Sequence, residues 1–158
     1  MIVRNEVDFG LSTQPGDDLG LDATLLFHER HYVLCREDHP FASMKSISMR
    51  DLRGQPYIHT VRLGVWQQLL PLLEKAKVKD AGFEVNQLGT LAGLVAANFG
   101  VALVPVYALD LCRRDGVVGI PFSAPNSSRP IYIVRRKGQS LSSAAATLFE
   151  TLTKTTKS

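Results

Sequence analysis

The sequence predicts an α/β fold, and three observations lead there. Short β-branched and aromatic runs alternate with stretches of helical periodicity along most of the chain. The stretch from Leu88 to Pro105, LGTLAGLVAANFGVALVP, reads as a helix, a glycine and an unbroken apolar strand, which is half of a parallel α/β unit. At 158 residues, 45% hydrophobic and 21% charged, the composition is that of an ordinary globular chain, long enough for one domain or two small lobes.

Taken in order, Val7-Asp8-Phe9-Gly10-Leu11 reads as a strand that ends in the polar turn Ser12 to Asp18. Leu21 to Leu26 follows, and then Glu29 to Arg36 (ERHYVLCR), whose Tyr32, Val33, Leu34 and Cys35 favour a second strand. Ser48 with Asp51 three residues later resembles a capping pair, so Met49 to Leu52 is expected to form a helical turn before Gly54. Pro56-Tyr57-Ile58-His59 reads as a short strand. Thr60 can cap the next helix, whose apolar face would be Trp66, Leu69, Leu70 and Leu73. Proline inside a helix costs about 3 kcal/mol, so Pro71 predicts a kink or a helix whose regular part begins later.

Phe83 to Gln87 is expected to be a strand that leads into the Leu88–Pro105 stretch. There Thr90 would cap the helix, Leu91, Leu94, Val95 and Phe99 would form its apolar face, and Gly100 would end it in a left-handed conformation. Val106 to Arg114 reads as a helix with Pro105 at its first turn, Val117 to Phe122 as a strand, and Arg129 to Arg136 as another. Ser140 opens a last helix with Leu141, Ala144, Ala145, Leu148, Phe149 and Leu152 on one face. This alternation predicts mainly parallel strands.

Charge excludes little but weighs against some partners. The formal +3 comes from 18 Lys and Arg against 15 Asp and Glu, mostly scattered, which is too weak to argue that this chain binds nucleic acid. A membrane span needs a run of about 18 apolar residues, which is not seen, and the N-terminus does not read as a signal peptide. A cytoplasmic location is expected, with no membrane partner. Cys35 and Cys112 lie in apolar segments without metal-ligand spacing and read as buried free thiols.

Several segments in sequence resemble the effector-binding domain of LysR-type transcriptional regulators. They are Val7 to Leu11, the Glu29 to Arg36 strand running into Asp38-His39-Pro40-Phe41-Ala42, Leu52 through Ile58, Leu94 to Pro105, Gly116-Val117-Val118 with Ile120-Pro121-Phe122, and the Arg129 strand with the final helix. The chain departs in carrying Asn98-Phe99 where the family usually has a single small residue or glycine. The resemblance implies a two-lobed, Rossmann-like architecture of the periplasmic-binding-protein type 2 class. It places a partial first lobe at residues 1–27 and 126–158, hinge crossovers at 28–36 and 119–125, and a complete second lobe at 37–118. An incomplete first lobe leaves apolar surface uncovered, so self-association, or poor order at the N-terminus, is expected. The resemblance also implies that DNA is bound through a helix-turn-helix domain, expected to lie outside this chain.

Ligands in open α/β sheets lie beyond the carboxyl ends of the strands. That rule selects Ser12 and Thr13 after the first strand, Thr60 and Arg62 after the Tyr57 strand, and Gln87 and Gly89 before the central helix. Helix N-termini favour anions, so a small-molecule effector bearing a carboxylate or similar group is expected. The resemblance points to Ser12, Thr13 and Thr60 as cleft-lining, and it places a possible second effector pocket at Arg30. The bland readings are a plain cap for Thr60, a solvated surface side chain for Arg62 and an ion pair for Arg30.

Catalysis finds little support in the sequence. His28 and His31 in HERH do not match HExxH, and an odd spacing puts them on opposite faces of a strand. His59 lies near the expected cleft, but no GxSxG elbow accompanies it, and no glycine-rich phosphate loop or cofactor motif is seen. The reading is therefore a ligand-sensing regulatory domain, not an enzyme, with no cofactor and no metal. A free-standing solute-binding protein of the related fold is the alternative, with a small hydrolase a distant third.

Overall fold

The computed structural model describes residues 1–4, 6–14, 20–60, 71–124 and 127–155. Its strands are β1 (Phe9–Ser12), β2 (Leu21–Glu29), β3 (His31–Arg36), β4 (Pro56–Thr60), β5 (Lys79–Val85), β6 (Ala102–Pro105), β7 (Val117–Pro121) and β8 (Arg129–Arg136). Its longer helices are α1 (Leu88–Ala96) and α2 (Ser143–Thr155). Internal contacts divide the chain into two compact units, Met1–Glu29 with Ser128–Ser158, and Arg30–Ser127.

In the first unit β8 is central, between β1 and β2, and both pairings are antiparallel. Ile131, Ile133 and Val134 of β8 are buried, and because consecutive strand residues point to opposite faces, this burial extends to both sides of the sheet. Phe9 meets Phe149 of α2 edge-on at 5.7 Å, and the Arg135 guanidinium lies 5.2 Å from the centre of the same ring. The helix begins later than its sequence suggests. Ser142, not Ser140, caps it, its Oγ accepting the Ala145 amide at 3.3 Å. Of the expected apolar face, Ala145 is buried, but Ala144 and Leu148 are exposed. They line an open groove of about 440 Å³ with Val7, Asp8 and Phe9.

In the second unit β3 is central, antiparallel to β6 on one side and to β7 on the other. β4 and β5 run parallel. A parallel bridge between Tyr57 and Val101, closed by Ile58 N to Val101 O at 2.9 Å and Val101 N to Pro56 O at 2.8 Å, sets β4 beside the start of β6. The strand order is thus β5-β4-β6-β3-β7, with β3 alone running against the rest. Mainly parallel pairing is not what forms, because the first unit is antiparallel throughout and β3 opposes both its neighbours. A buried run such as HYVLCR reads the same in either direction; only its partners decide.

Alternation along β3 separates two cores. Val33 and Cys35 face a cluster with Tyr57, Leu103, Ile47 and Phe122, while Leu34 faces another with Ile58, Ala102, Val104 and the Leu91-Ala92-Val95 stripe of α1. Burying a Leu, Ile or Val contributes about 1.5–3 kcal/mol each, and small Ala92 lets the helix lie close to the strands. The cysteines fall in different clusters, and both are free.

Helix α1 differs from expectation at both ends. Gln87, not Thr90, holds the N-cap position, and its side chain makes no capping bond. At the other end Asn98 takes the left-handed conformation, φ 64°. Phe99 N bonds Leu94 O at 3.1 Å and Asn98 N bonds Val95 O at 3.0 Å, the paired bonds of a Schellman cap. Phe99 therefore lies past the helix, half-exposed and edge-on to Phe83 at 5.0 Å. Gly100 serves close approach: a Cβ there would stand 2.5 Å from the Pro56 carbonyl oxygen.

Elsewhere, Val106–Arg114 is not one helix but two 3-10 turns, Val106–Ala108 and Asp110–Cys112. Nine residues that carry Tyr107, Leu111 and Arg113 outward and bury only Ala108 and Cys112 offer too narrow an apolar stripe to hold a regular helix. Residues 71–75 are helical and Leu73 is buried, whereas Arg62, Trp66, Leu69 and Leu70 lie outside the described residues.

Candidate functional site

In the second unit the carboxyl ends of β4 and β5 coincide, because the parallel register sets Thr60 beside Val85. Thr60 is buried, 5% exposed. Only Asn86 separates Val85 from Gln87, so α1 starts at this same edge. Gln87, Gly89 and Thr90 are exposed, and among the described residues no atom of another element lies within 4 Å of where a Gly89 Cβ would be. The first amides of a helix have no partner within it, and here, among the described residues, the N-cap side chain of Gln87 makes no capping bond to them.

Arg30, immediately before β3, joins the edge. Its carbonyl accepts the Val106 amide at 2.9 Å, just past the carboxyl end of β6, and its side chain is exposed. Among the described residues its guanidinium makes no ion pair, so the structural bridge expected as its bland role is not formed. The structure therefore brings Thr60, Gln87, Gly89 and Arg30 to one strand-end edge of one unit. Ser12 and Thr13 stand together in the first unit, both half-buried, with Ser12 Oγ accepting the Gln14 amide at 3.1 Å. Arg62 lies outside the described residues.

His59 points away from Thr60, as adjacent strand residues must. Its Nε2 lies 3.1 Å from Asp80 Oδ1, and that oxygen also accepts the Gly82 amide at 2.7 Å. The Gly82 amide, followed by His59, holds the Asp80 carboxyl below the usual carboxylate range. Together they pin the irregular register between Tyr57 and His59 where β5 bulges. His59 thus serves strand pairing here, beside a cavity of about 230 Å³ that it lines with Tyr57, Leu73 and Glu74.

His31 has a role that its place in HERH did not suggest. It is buried, and its Nδ1 lies 2.5 Å from the Ser127 carbonyl. A carbonyl only accepts, so Nδ1 carries the proton, and the bond closes the second unit near its two chain ends. The only hint in the sequence was a histidine opening an apolar run. His28 lies exposed on β2. Among the described residues no three His, Cys, Asp or Glu side chains gather as metal ligands, and no helix is long and apolar enough to cross a membrane.

The edge is rich in donors: helix amides, the Thr60 hydroxyl and the Arg30 guanidinium. It is suited to hold an acceptor or an anion.

A family model described as the LysR substrate binding domain matches residues 1–157. An uncharacterized HTH-type transcriptional regulator, YbhD of Escherichia coli K12, is 33% identical over 154 residues, covering 96% of this chain and 48% of the regulator. A hydrogen peroxide-inducible genes activator of Escherichia coli O6:H1 is 34% identical over 133 residues, covering 80% of this chain and 43% of the activator. The chain thus spans about half the length of the curated relatives it matches. Among solved structures, the BenM effector binding domain with its effector benzoate superposes with a TM-score of 0.78 at 23% identity, covering 98% of this chain and 71% of the other. That likeness establishes the fold, the type 2 periplasmic-binding-protein-like class.

Proposed function

This chain belongs to the LysR substrate-binding domain family, and on that premise we propose that it is the ligand-sensing domain of a transcriptional regulator. Its effector is a small organic anion, a carboxylate being the best fit. The observation that carries this reading is the uncapped start of α1 beside the buried Thr60 at the shared carboxyl edge of β4 and β5. Free helix amides and a partial positive charge favour an anion, and the Thr60 hydroxyl adds a directional bond. Arg30 is assigned a supporting role at the same edge. The benzoate bound by BenM is an anion of the same chemical class.

In this reading the chain does no chemistry. A ligand shifts a regulator only by its difference in affinity between two conformations, and the output passes to a helix-turn-helix domain that binds DNA in the cytoplasm. Self-association through the effector domain belongs to the same proposal.

Thermal shift of the chain with benzoate and a panel of small mono- and dicarboxylates tests it. A ligand at about a hundredfold over Kd stabilises by about 2.7 kcal/mol. At least one carboxylate should raise the melting temperature, and Thr60→Val should remove that rise while the unliganded protein still melts cooperatively. An undiminished shift in Thr60→Val would exclude this edge.

A further inference from the structure

A second charged feature lies at the opposite end of the same strands. The turn at residues 49–54 precedes β4, and the end of the helical residues 71–75 with the turn at 76–77 precedes β5. Gly54 N to Lys77 O at 3.2 Å and Lys79 N to Gln55 O at 3.1 Å tie the two turns together. Between them lies a concavity of about 420 Å³ lined by Met49, Arg50, Arg53, Lys75, Ala76 and Lys77. It is separated from Thr60 by the length of β4, about 15 Å at 3.3 Å per residue.

Four of its six lining residues are cations. Two acidic residues, Asp51 and Glu74, lie next to them in sequence. The Asp51 carboxylate accepts Ser48 N at 2.7 Å and Ser48 Oγ at 2.5 Å, and Glu74 lines the neighbouring cavity with His59 and Asp80. Among the described residues Arg50, Arg53, Lys75 and Lys77 make no ion pair. Lysines after a helix offset its dipole, which accounts for Lys75 and Lys77. It does not account for two arginines brought to the same hollow from another turn.

Like charges gathered in a concave wall repel one another and focus a positive potential outward. The anion that relieves this must reach both pairs, so one carboxylate is insufficient. Guanidinium forks suit phosphate oxygens, and lysines add point charges. We infer that this hollow is a binding site for a small, compact, multivalent anion carrying two or more phosphate groups, independent of the effector edge. Concavity favours a compact molecule over the extended backbone of a duplex.

Isothermal titration of the chain with inorganic tripolyphosphate, at about 0.15 M ionic strength, tests this. Saturable one-to-one binding is expected. It should weaken at least about tenfold in Arg50→Gln with Arg53→Gln and also in Lys75→Gln with Lys77→Gln, but stay unchanged in the charge-matched control Arg113→Gln with Lys137→Gln. Equal weakening in the control would reduce the effect to net charge and overturn the site. So would acetate competing at equal ionic strength, or a short duplex DNA that binds more tightly and loses affinity on the same substitutions. Amide shifts in the unmutated chain provide a readout that does not depend on variant folding. Tripolyphosphate should move the amides of residues 50–54 and 75–77, and movement confined elsewhere would also overturn the inference.

Discussion

Glu29 and Arg129 face each other directly across β2 and β8, with Arg129 Nε 2.9 Å from Glu29 Oε2 and Nη2 on the same oxygen. Both residues are buried, at 3% and 8% exposure. Removing one partner of such a pair strands the other charge away from water, at a cost of about 3–5 kcal/mol, whereas an apolar pair of similar volume is often neutral. Arg129→Met or Glu29→Gln should therefore destabilise the first unit by that amount in urea unfolding. Glu29→Leu with Arg129→Met should recover most of it. A double variant as unstable as the sum of the singles would mean that the two residues act independently, which would overturn the pairing argument.

The two residues that turn the chain after α1 should respond in opposite ways. Asn98 stands in the left-handed region, where a side chain costs roughly 1–2 kcal/mol that glycine avoids, so Asn98→Gly should be stabilising or neutral and Asn98→Ala destabilising. Gly100→Ala places a Cβ 2.5 Å from the Pro56 carbonyl oxygen. That is backbone against side chain with no flexible atom to yield, so about 1–3 kcal/mol or more should be lost. Thermal melting of the three variants would distinguish a conformational requirement from a steric one.

Burial pushes the thiols of Cys35 and Cys112 up to about 11, and both side chains are almost fully enclosed. The thiolate is the species that attacks disulfides and peroxides, so at neutral pH neither cysteine should react. A relative is named for induction by hydrogen peroxide, yet native protein treated with peroxide should keep both thiols by mass. Disulfide reagents should label them only at the rate of unfolding. Rapid sulfenic acid formation at either cysteine would favour redox sensing over ligand sensing.

Acid should act through Asp51. Hydrogen bonds from the Ser48 hydroxyl and amide hold its carboxyl below the ordinary value. The folded form therefore gains stability that is fully present above the unfolded carboxylate range and is lost as pH falls through the lowered value. Capping contacts of this kind contribute about 0.5–2 kcal/mol, and solvent exposure of the carboxylate keeps the figure near the low end. Asp51→Asn should be less stable at pH 7 and should lose less than the parent on acidification. Parallel losses in the two proteins between about pH 5 and pH 2 would remove Asp51 from the acid response.

How much of this was legible beforehand depended on the range of the interaction. The α1 to β6 unit, the buried β3 run and the Ser48–Asp51 pairing all rest on neighbours within a few positions, and local periodicity or spacing reveals them. Strand direction was not legible, because whether β3 runs with or against β6 is decided by residues about 70 positions away and leaves no trace in an apolar run. The same holds for Asn98: the sequence offered Gly100 as the obvious left-handed residue, but that glycine was needed against Pro56. His31 with Ser127, Glu29 with Arg129, and the gathering of Arg50 and Arg53 with Lys75 and Lys77 are all products of tertiary proximity. Thr60, Gln87 and Gly89 were legible as neighbours because a general rule about strand ends places them, whatever the details of the sheet.

Gly89 gives the effector edge a test in which stability and binding move oppositely. It is in the first turn of α1, where among the described residues no atom outside its own helix backbone and chain neighbours lies within 4 Å of the position a Cβ would take and no positive φ forbids one. Gly89→Asp should therefore fit. Replacing glycine by aspartate gains only about 0.3 kcal/mol of helix propensity, and a carboxylate beside the helix N-terminus adds about 0.3–1 kcal/mol. The unliganded protein should melt higher. The same carboxylate occupies the field that an anionic effector would use, so the thermal shift produced by any carboxylate ligand should disappear. A merely disruptive substitution would lower both quantities, and a substitution remote from the site would leave the ligand shift intact. Only an anion site at this helix start makes the apo protein more stable and the ligand ineffective together.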